Sequence, residues 1–231
     1  MAATVPGSLE LDDSIDQDDL GDFFEEISDG GESYGTTKAG SSSDGKKSFF
    51  VSDDDDSVLV VSSSKTTKLG KVKLGDGTKV TVNDVVLKDG GQNATGNNGD
   101  NHMLGNDSNN KLLGGAGHDY LNGSGGRDTV VGGTGNDTIE GGTGNDKLTG
   151  GAGNDVFVIN GGDGHDKITD FKGGDQLKFG AGTTVDLQED ADGDAFFVVT
   201  DGNGHTGTVT LQDVGVDQVN DDNNDGIWTI S

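Results

Sequence analysis

Aspartate and glycine recur in this chain at a spacing suited to holding a hard cation among oxygens. From Gly96 to Val158 the sequence reads in nine-residue units without a gap. Three clean units are consecutive: GGTGNDTIE from Gly132, GGTGNDKLT from Gly141 and GGAGNDVFV from Gly150. GGAGHDYLN from Gly114 and GSGGRDTVV from Gly123 precede them. Two looser units lead in, GNNGDNHML from Gly96 and GNDSNNKLL from Gly105. A further one, GGDGHDKIT from Gly161, follows an insertion of Ile159 and Asn160. Glycine permits positive φ and close backbone approach, so successive carbonyl oxygens can point to one side of a turn. The aspartate at position six adds a carboxylate to them. Calcium takes about six to eight oxygen ligands, carbonyls and carboxylates among them, so each turn is a candidate half-site.

The elements that must position these turns follow from position eight. It carries Met103, Leu112, Leu121, Val130, Ile139, Leu148, Phe157 and Ile168. Each unit is therefore a six-residue turn and a short strand with one inward side chain. A fixed period of this kind signals stacked repeats. The expected fold is all-β, with a thin core between two facing parallel sheets. A flexible Gly/Asn/Asp linker would lack the periodic apolar position.

These residues resemble the RTX (repeats-in-toxin) family, whose nonapeptides form a calcium-loaded parallel β-roll. The resemblance covers residues 96–180. It implies two units per turn of the roll and an ion between each unit and the next but one. The earlier loop would offer positions two, four and six, and the later loop one, three and six. Carried over, one ion would contact Gly115, Gly117, Asp119, Gly132, Thr134 and Asp137. The next on that edge would contact Gly133, Gly135, Asp137, Gly150, Ala152 and Asp155. The opposite edge would use Ser124, Gly126, Asp128, Gly141, Thr143 and Asp146, then Gly142, Gly144, Asp146, Gly161, Asp163 and Asp166. Asn101 and Asn110 replace the aspartate, Asn97, Asn106 and Ser124 replace glycine, and Ser108 fills a fourth position. Neutral amides leave the first two sites weak or empty. The resemblance implies roughly four to six calcium ions.

Composition sets the energetics. Of 231 residues 29% are hydrophobic, 43 are glycine, and the formal net charge is −27. Such a chain lies near the disordered class, and so thin a core does not offset chain entropy alone. Two carboxylates about 6 Å apart repel by roughly 3 kcal/mol at an effective dielectric of about 20. A site with a dissociation constant near 10⁻⁴ M gains about 1.4 kcal/mol at millimolar calcium. Five such sites give about 7 kcal/mol, comparable to a domain's whole stability. At the far lower calcium of a cytosol that contribution vanishes. The chain is thus expected to be unfolded inside the cell and folded outside it.

Other features fit export. Cysteine is absent. The start MAATVPGSLELDDS has neither a basic region nor an apolar run, so no cleaved leader is expected. No apolar stretch approaches membrane-spanning length. The resemblance implies an uncleaved C-terminal signal and a type I secretion channel, and DGIWTIS at the end looks like such a signal. Strong acidity argues against nucleic acid.

Four segments are expected. Residues 1–46 read as an acidic flexible tail; the alternative for 19–28 (DLGDFFEEIS) is a short helix that would dock a partner or another copy. Residues 47–95 read as a β-rich N-terminal cap or interaction domain, in which KVKLGDGTKVTV (71–82) is a hairpin. Residues 96–180 are the roll, closed by ITDFKGGDQLKF, where Asp170 or Asp175 would complete a last site. Residues 181–231 form a C-terminal β cap, with a hairpin across Asp-Gly-Asn-Gly and a small core of Phe196, Phe197, Val199 and Leu211. Asp190-x-Asp192-x-Asp194 and Asp221-x-Asn223-x-Asp225-Gly226 begin like EF-hand loops but lack the later bidentate glutamate, and read as acidic turns.

No catalytic constellation stands out. His102, His118, His165 and His205 lie in turns or loops, none in H-E-x-x-H, and there is no G-x-S-x-G elbow. The expected function is a secreted calcium-folded protein with a structural role in a biofilm matrix, surface layer or adhesive coat, built by self-assembly. The alternatives are a calcium-dependent carbohydrate-binding module for cell-surface or extracellular polysaccharide, and a secretion and folding module for a short N-terminal effector.

Overall fold

A computed structural model describes residues 34–41, 47–52, 58–62, 65–73, 79–88, 92–220 and 227–230. Among these the secondary structure is almost entirely β, with one short 3-10 turn, Val216–Gln218. The turn at 74–78, the acidic turn 53–56, the alternative helix at 19–28 and the acidic cluster 221–226 lie outside the described residues.

Successive nonapeptides alternate between two sheets. One holds His102–Asn106, Tyr120–Gly126, Thr138–Glu140, Val156–Ile159 and Gln176–Phe179; the other holds Lys111–Ala116, Thr129–Thr134, Lys147–Ala152 and His165–Ile168. Within each sheet these strands are parallel. Position eight faces position eight: Met103, Leu121, Ile139, Phe157 and Leu177 are successive partners in one sheet. Leu112, Val130, Leu148 and Ile168 are successive partners in the other. Parallel neighbours need a long crossover. Here the crossover is a turn, a strand of the opposite sheet and a second turn.

Only one side chain in three of a short strand points inward. Thr138–Glu140 buries Ile139 alone. The position-eight residues from Met103 to Ile168 are 0–1% exposed and form one continuous cluster. Burying each such side chain is worth about 1.5–3 kcal/mol.

The stack does not begin at Gly96. Val85 pairs with Met103, Ala94 with Leu112 and Thr67 with Ala94, all in parallel. Val58–Ser62 joins Lys79–Leu87 in parallel, and Tyr34–Ser41 and Lys47–Ser52 add antiparallel beyond it. The roll's sheets thus run on into residues 47–95, and a strand lies inside the segment read as tail. Lys71–Lys73 pairs antiparallel with Lys79–Leu87, the expected hairpin.

At the other end the hairpin Ala195–Thr200 and Thr206–Leu211 forms, and Thr206–Leu211 extends the second sheet in parallel with His165–Ile168. Thr184–Glu189 adds at its edge. Strand alternation turns Ala195, Phe197 and Val199 inward, so Phe196 does not join the core expected of it and Val209 does. Ile227–Ile230 pairs with Gln176–Phe179, and Trp228 meets the Phe197 ring edge-on at 5.1 Å.

Leu121→Ala should cost calcium-saturated protein about 3 kcal/mol by denaturant unfolding, within the range for buried leucine truncation. Lys111→Ala, on the exposed face, should change stability by less than about 0.5 kcal/mol.

Candidate metal centres

The stacking register brings the position-six aspartates into two columns. On one edge stand Asn101, Asp119, Asp137, Asp155 and Asp175; on the other stand Asn110, Asp128, Asp146 and Asp166. Each carboxylate reaches back one rung. Oδ1 of Asp119 accepts the backbone N–H of Asn101 at 2.8 Å, Asp137 that of Asp119 at 2.9 Å, and Asp155 that of Asp137 at 3.0 Å. Opposite, Asp128 accepts from Asn110 at 2.7 Å, Asp146 from Asp128 at 2.7 Å and Asp166 from Asp146 at 2.9 Å. The last partners are 20 residues apart rather than 18, so the Ile159–Asn160 insertion is absorbed without loss of register.

The second oxygen of each carboxylate is different. Oδ2 of Asp119, Asp128, Asp137, Asp146 and Asp166 is buried and meets no donor. Its neighbours are acceptors. Oδ2 of Asp137 and the carbonyl oxygen of Gly150 both crowd the space a side chain on Gly132 would fill: a Cβ there would lie 2.3 and 2.7 Å from them. The repeat of the same contact at Gly114, with Asp119 Oδ2 and Gly132 O, explains why position one is glycine. An unpaired buried polar group is costly, and a buried anion far more so. Among the described residues no three carboxylate, imidazole or thiol side chains converge on one point, so backbone carbonyls must supply most of a cation's ligands.

The structure places the expected site residues in adjacent turns. Gly115 lies beside Gly133 and Ala116 beside Thr134; Gly133 lies beside Gly151 and Thr134 beside Ala152. On the opposite edge Gly125 pairs with Thr143, and Gly126 with Gly144. Gly144 bridges to Gly164 and donates to Asp163 O. Gly133 and Gly135 take φ of 126° and 128°, a region closed to most side chains. Gly161 packs against Asp201 of the C-terminal hairpin, and Asp163 Oδ2 accepts the Asn160 N–H at 2.5 Å.

The asparagine turns are closed by their own amides. Asn101 Oδ1 accepts the Asn97 N–H at 2.9 Å, and Asn110 Oδ1 that of Asn106 at 2.8 Å. Asn97 and Asn106 donate Nδ2 to carbonyls of the preceding rung, Val82 O and Lys88 O, at 2.7 and 2.8 Å.

Sequence reasoning passed over two features. Position five carries a ladder: His118 donates its N–H to Asp100 Oδ1, Asn136 to His118 Nδ1 and Asn154 to Asn136 Oδ1. The frequency of Asn at position five was the available signal. Asp84 is buried, accepts the His102 N–H at 3.1 Å and leaves Oδ2 without a donor; no glycine turn in the sequence marks it. Asp175 continues the first column by accepting the Asp155 N–H at 2.9 Å, whereas Asp170 instead accepts the N–H groups of Gly150 and Gly151. Asp190 accepts the N–H groups of Asp192 and Asp194, making an acidic turn.

A family model of the RTX calcium-binding nonapeptide repeat (4 copies) matches residues 95–130, 123–157 and 158–185. The roll is an array of RTX calcium-binding repeats. RTX nonapeptides bind calcium, and the orphaned Oδ2 atoms facing carbonyls fit that ion. Among solved structures the chain is similar to the extracellular lipase LipA of Serratia marcescens, at 15% identity over 59% of this chain and 39% of that one, with a TM-score of 0.26. It is also similar to the AlgE6R3 subunit of the Azotobacter vinelandii mannuronan C5-epimerase, at 24% identity over 53% of this chain and 78% of that one, with a TM-score of 0.26. No curated protein matches the chain by sequence.

Electrostatics of the RTX array follow from burial. Desolvation pushes Asp119 and Asp128 up to about 7, Asp146 to about 6 and Asp166 to about 8, against backbone hydrogen bonds that pull the other way. Neighbouring aspartates of the column add to the rise. Burial raises Asp137, Asp163 and Asp175 as well. At roughly 1.4 kcal/mol per unit, ionising Asp119 inside the cation-free roll costs about 4 kcal/mol more than in the unfolded chain.

A native carboxyl that holds its proton to higher pH stabilises the fold below the unfolded carboxylate range, and that contribution is lost as pH rises through the folded value. In chelator the sheet signal in circular dichroism should therefore be greatest near pH 4 and decline through about pH 6 to 8. In calcium the order reverses: the half-saturating concentration should fall as pH rises over that window, because binding displaces protons. A pH-independent calcium titration would contradict this.

Proposed function

We propose that the protein is a secreted RTX protein that folds on extracellular calcium and serves a structural role outside the cell. The stacked, donor-free Oδ2 atoms carry this reading, because the fold holds buried negative charge that only a bound cation or a proton relieves. Four ions would lie in the sets named from the sequence: Gly115, Gly117, Asp119, Gly132, Thr134, Asp137; the set sharing Asp137 and ending in Asp155; the set from Ser124 to Asp146; and the set sharing Asp146 and ending in Asp166. Calcium in these turns would supply the positive charge that faces each Oδ2. Low cytosolic calcium keeps the chain slack for a type I channel, and millimolar calcium outside locks it.

The structural role rests on the ends of the sheets. Tyr34–Ser41 and Thr184–Glu189 are edge strands among the described residues. Such edges offer backbone groups to another copy. Asp186 and Glu189 on the second edge restrain indiscriminate pairing. The sequence holds neither H-E-x-x-H nor G-x-S-x-G, and the reading is of a non-enzyme.

A second reading has its own support. Lys111, Thr129, Lys147 and Lys167 lie in register across one outer face, and the three lysines are exposed. With strands about 4.8 Å apart, this is a basic stripe on an acidic protein, suited to an anionic polysaccharide. It would be organised by calcium without the ion touching the glycan.

Circular dichroism in calcium and in excess EGTA tests the folding claim: sheet content should be lost in EGTA near neutral pH. Asp137→Asn, which alters a ligand of two sets at once, should lower bound calcium by more than one ion per chain. Electron microscopy and sedimentation at millimolar calcium then separate the two readings. Assembly favours the structural role, whereas a monomer with saturable binding on an array of acidic glycans favours the lysine face.

A further inference from the structure

The first aspartate column ends differently from the way it runs. Asp119 and Asp137 each leave Oδ2 without a donor, but Asp155 and Asp175, both 0% exposed at the side chain, do not. Lys172 reaches between them. Its Nζ donates to Gly151 O at 2.6 Å and lies 3.5 Å from Asp155 Oδ2 and 3.4 Å from both oxygens of Asp175. These are the position-two carbonyl and position-six carboxylate of one turn and the position-six carboxylate of the next. The same trio recurs one rung earlier as Gly133, Asp137 and Asp155, and before that as Gly115, Asp119 and Asp137.

We propose that the Lys172 ammonium occupies the last cation position of this column, so that the final rung is closed by a tethered cation and holds together without calcium. The segment carrying it is built for the task. Asp170 accepts the Gly150 and Gly151 N–H groups at 2.9 and 2.8 Å, which clamps it to the preceding turn. Phe171 is buried and packs on Phe157 with ring centroids 5.9 Å apart. The Lys172 N–H donates to Asp175 Oδ2 at 3.0 Å. The two residues before Lys172 and its own backbone N–H are thus anchored, and the stem runs back across the turn to Gly151 O. A lysine carries one charge and three donors, against two charges and about six to eight ligands for calcium. It therefore closes one rung without extending the row. The consequence is a preformed C-terminal end, on which earlier turns stack as calcium arrives.

The proposal rests on the calcium reading, and its test separates the two. Calcium bound per chain is counted by equilibrium dialysis at saturating calcium for wild type, Lys172→Ala and Lys172→Arg. Hydrogen exchange of Gln176–Phe179 is followed in EGTA for the same proteins. Lys172→Ala should bind one more ion than wild type and lose protection of Gln176–Phe179 in EGTA; Lys172→Arg should match wild type in the ion count. An unchanged count in Lys172→Ala, or its failure to fold in millimolar calcium, overturns the substitution of ammonium for ion. Unchanged exchange overturns the preformed end. Wild type that binds no calcium overturns the calcium reading instead, and the exchange comparison still decides what Lys172 does.

Discussion

Along the middle of the roll, at Asp119, Asp128, Asp137, Asp146 and Asp166, each turn drives a carboxylate into the interior with one oxygen bonded to the rung before and the other left without a donor. Everything else in the molecule has to accommodate that arrangement. The bonded oxygen knits rung to rung, since Asp119, Asp137 and Asp155 each take the backbone N–H of the aspartate or asparagine one coil earlier. The unbonded oxygen is an uncompensated buried charge. No side chain reaches it in the middle of the stack. Relief must come from a proton or a cation, and a divalent cation also draws in the surrounding carbonyls. The same contact is therefore a linkage when an ion is present and a source of repulsion when it is not.

The apolar core is too slender to override this. It contributes one side chain per nonapeptide, from Met103 to Ile168, between two sheets. Each rung touches only its neighbours, so cohesion is a sum of nearest-neighbour terms, as in other solenoids. Core and ion rows depend on one another geometrically. Stacking of position eight sets the register that aligns the aspartates, and aligned turns leave no room for a side chain at Gly132.

The ends of the columns show how the chain stops a row of ions. At the N-terminal side Asn97 and Asn106 turn amide donors onto the carbonyls of Val82 and Lys88, a neutral closure. At the C-terminal side Lys172 brings a charged donor to Asp155 and Asp175. Beyond these, conventional sheet physics takes over. The hairpin Ala195–Thr200 and Thr206–Leu211 prolongs one sheet, and Ile227–Ile230 with Trp228 closes over the other. The N-terminal end thus closes on neutral amides, and the C-terminal end on a tethered ammonium followed by strand pairing and aromatic packing.

Much of this was legible in the residues, because a nine-residue period is local information. Glycine at positions one, two and four, aspartate at six and one apolar residue at eight determine the turn, the strand and the inward side chain. The all-β parallel roll and the hairpin at 195–211 follow from such patterns. Other features depend on residues one coil apart, and these only the tertiary structure decided. Asp84 and the position-five ladder through His118 acquire partners 18 residues away. The continuation of the sheets through Val85 and Ala94 lacks the glycine signature, so parallel pairing alone reveals it. Phe196 and Phe197 are indistinguishable in sequence, and strand alternation chose between them. Nothing within D-F-K-G-G-D marks Lys172; stacking against Gly151 and Asp155 made it a counterion. Repeat chemistry is encoded within a unit, whereas the identity of whatever neutralises it depends on which unit comes to lie next door.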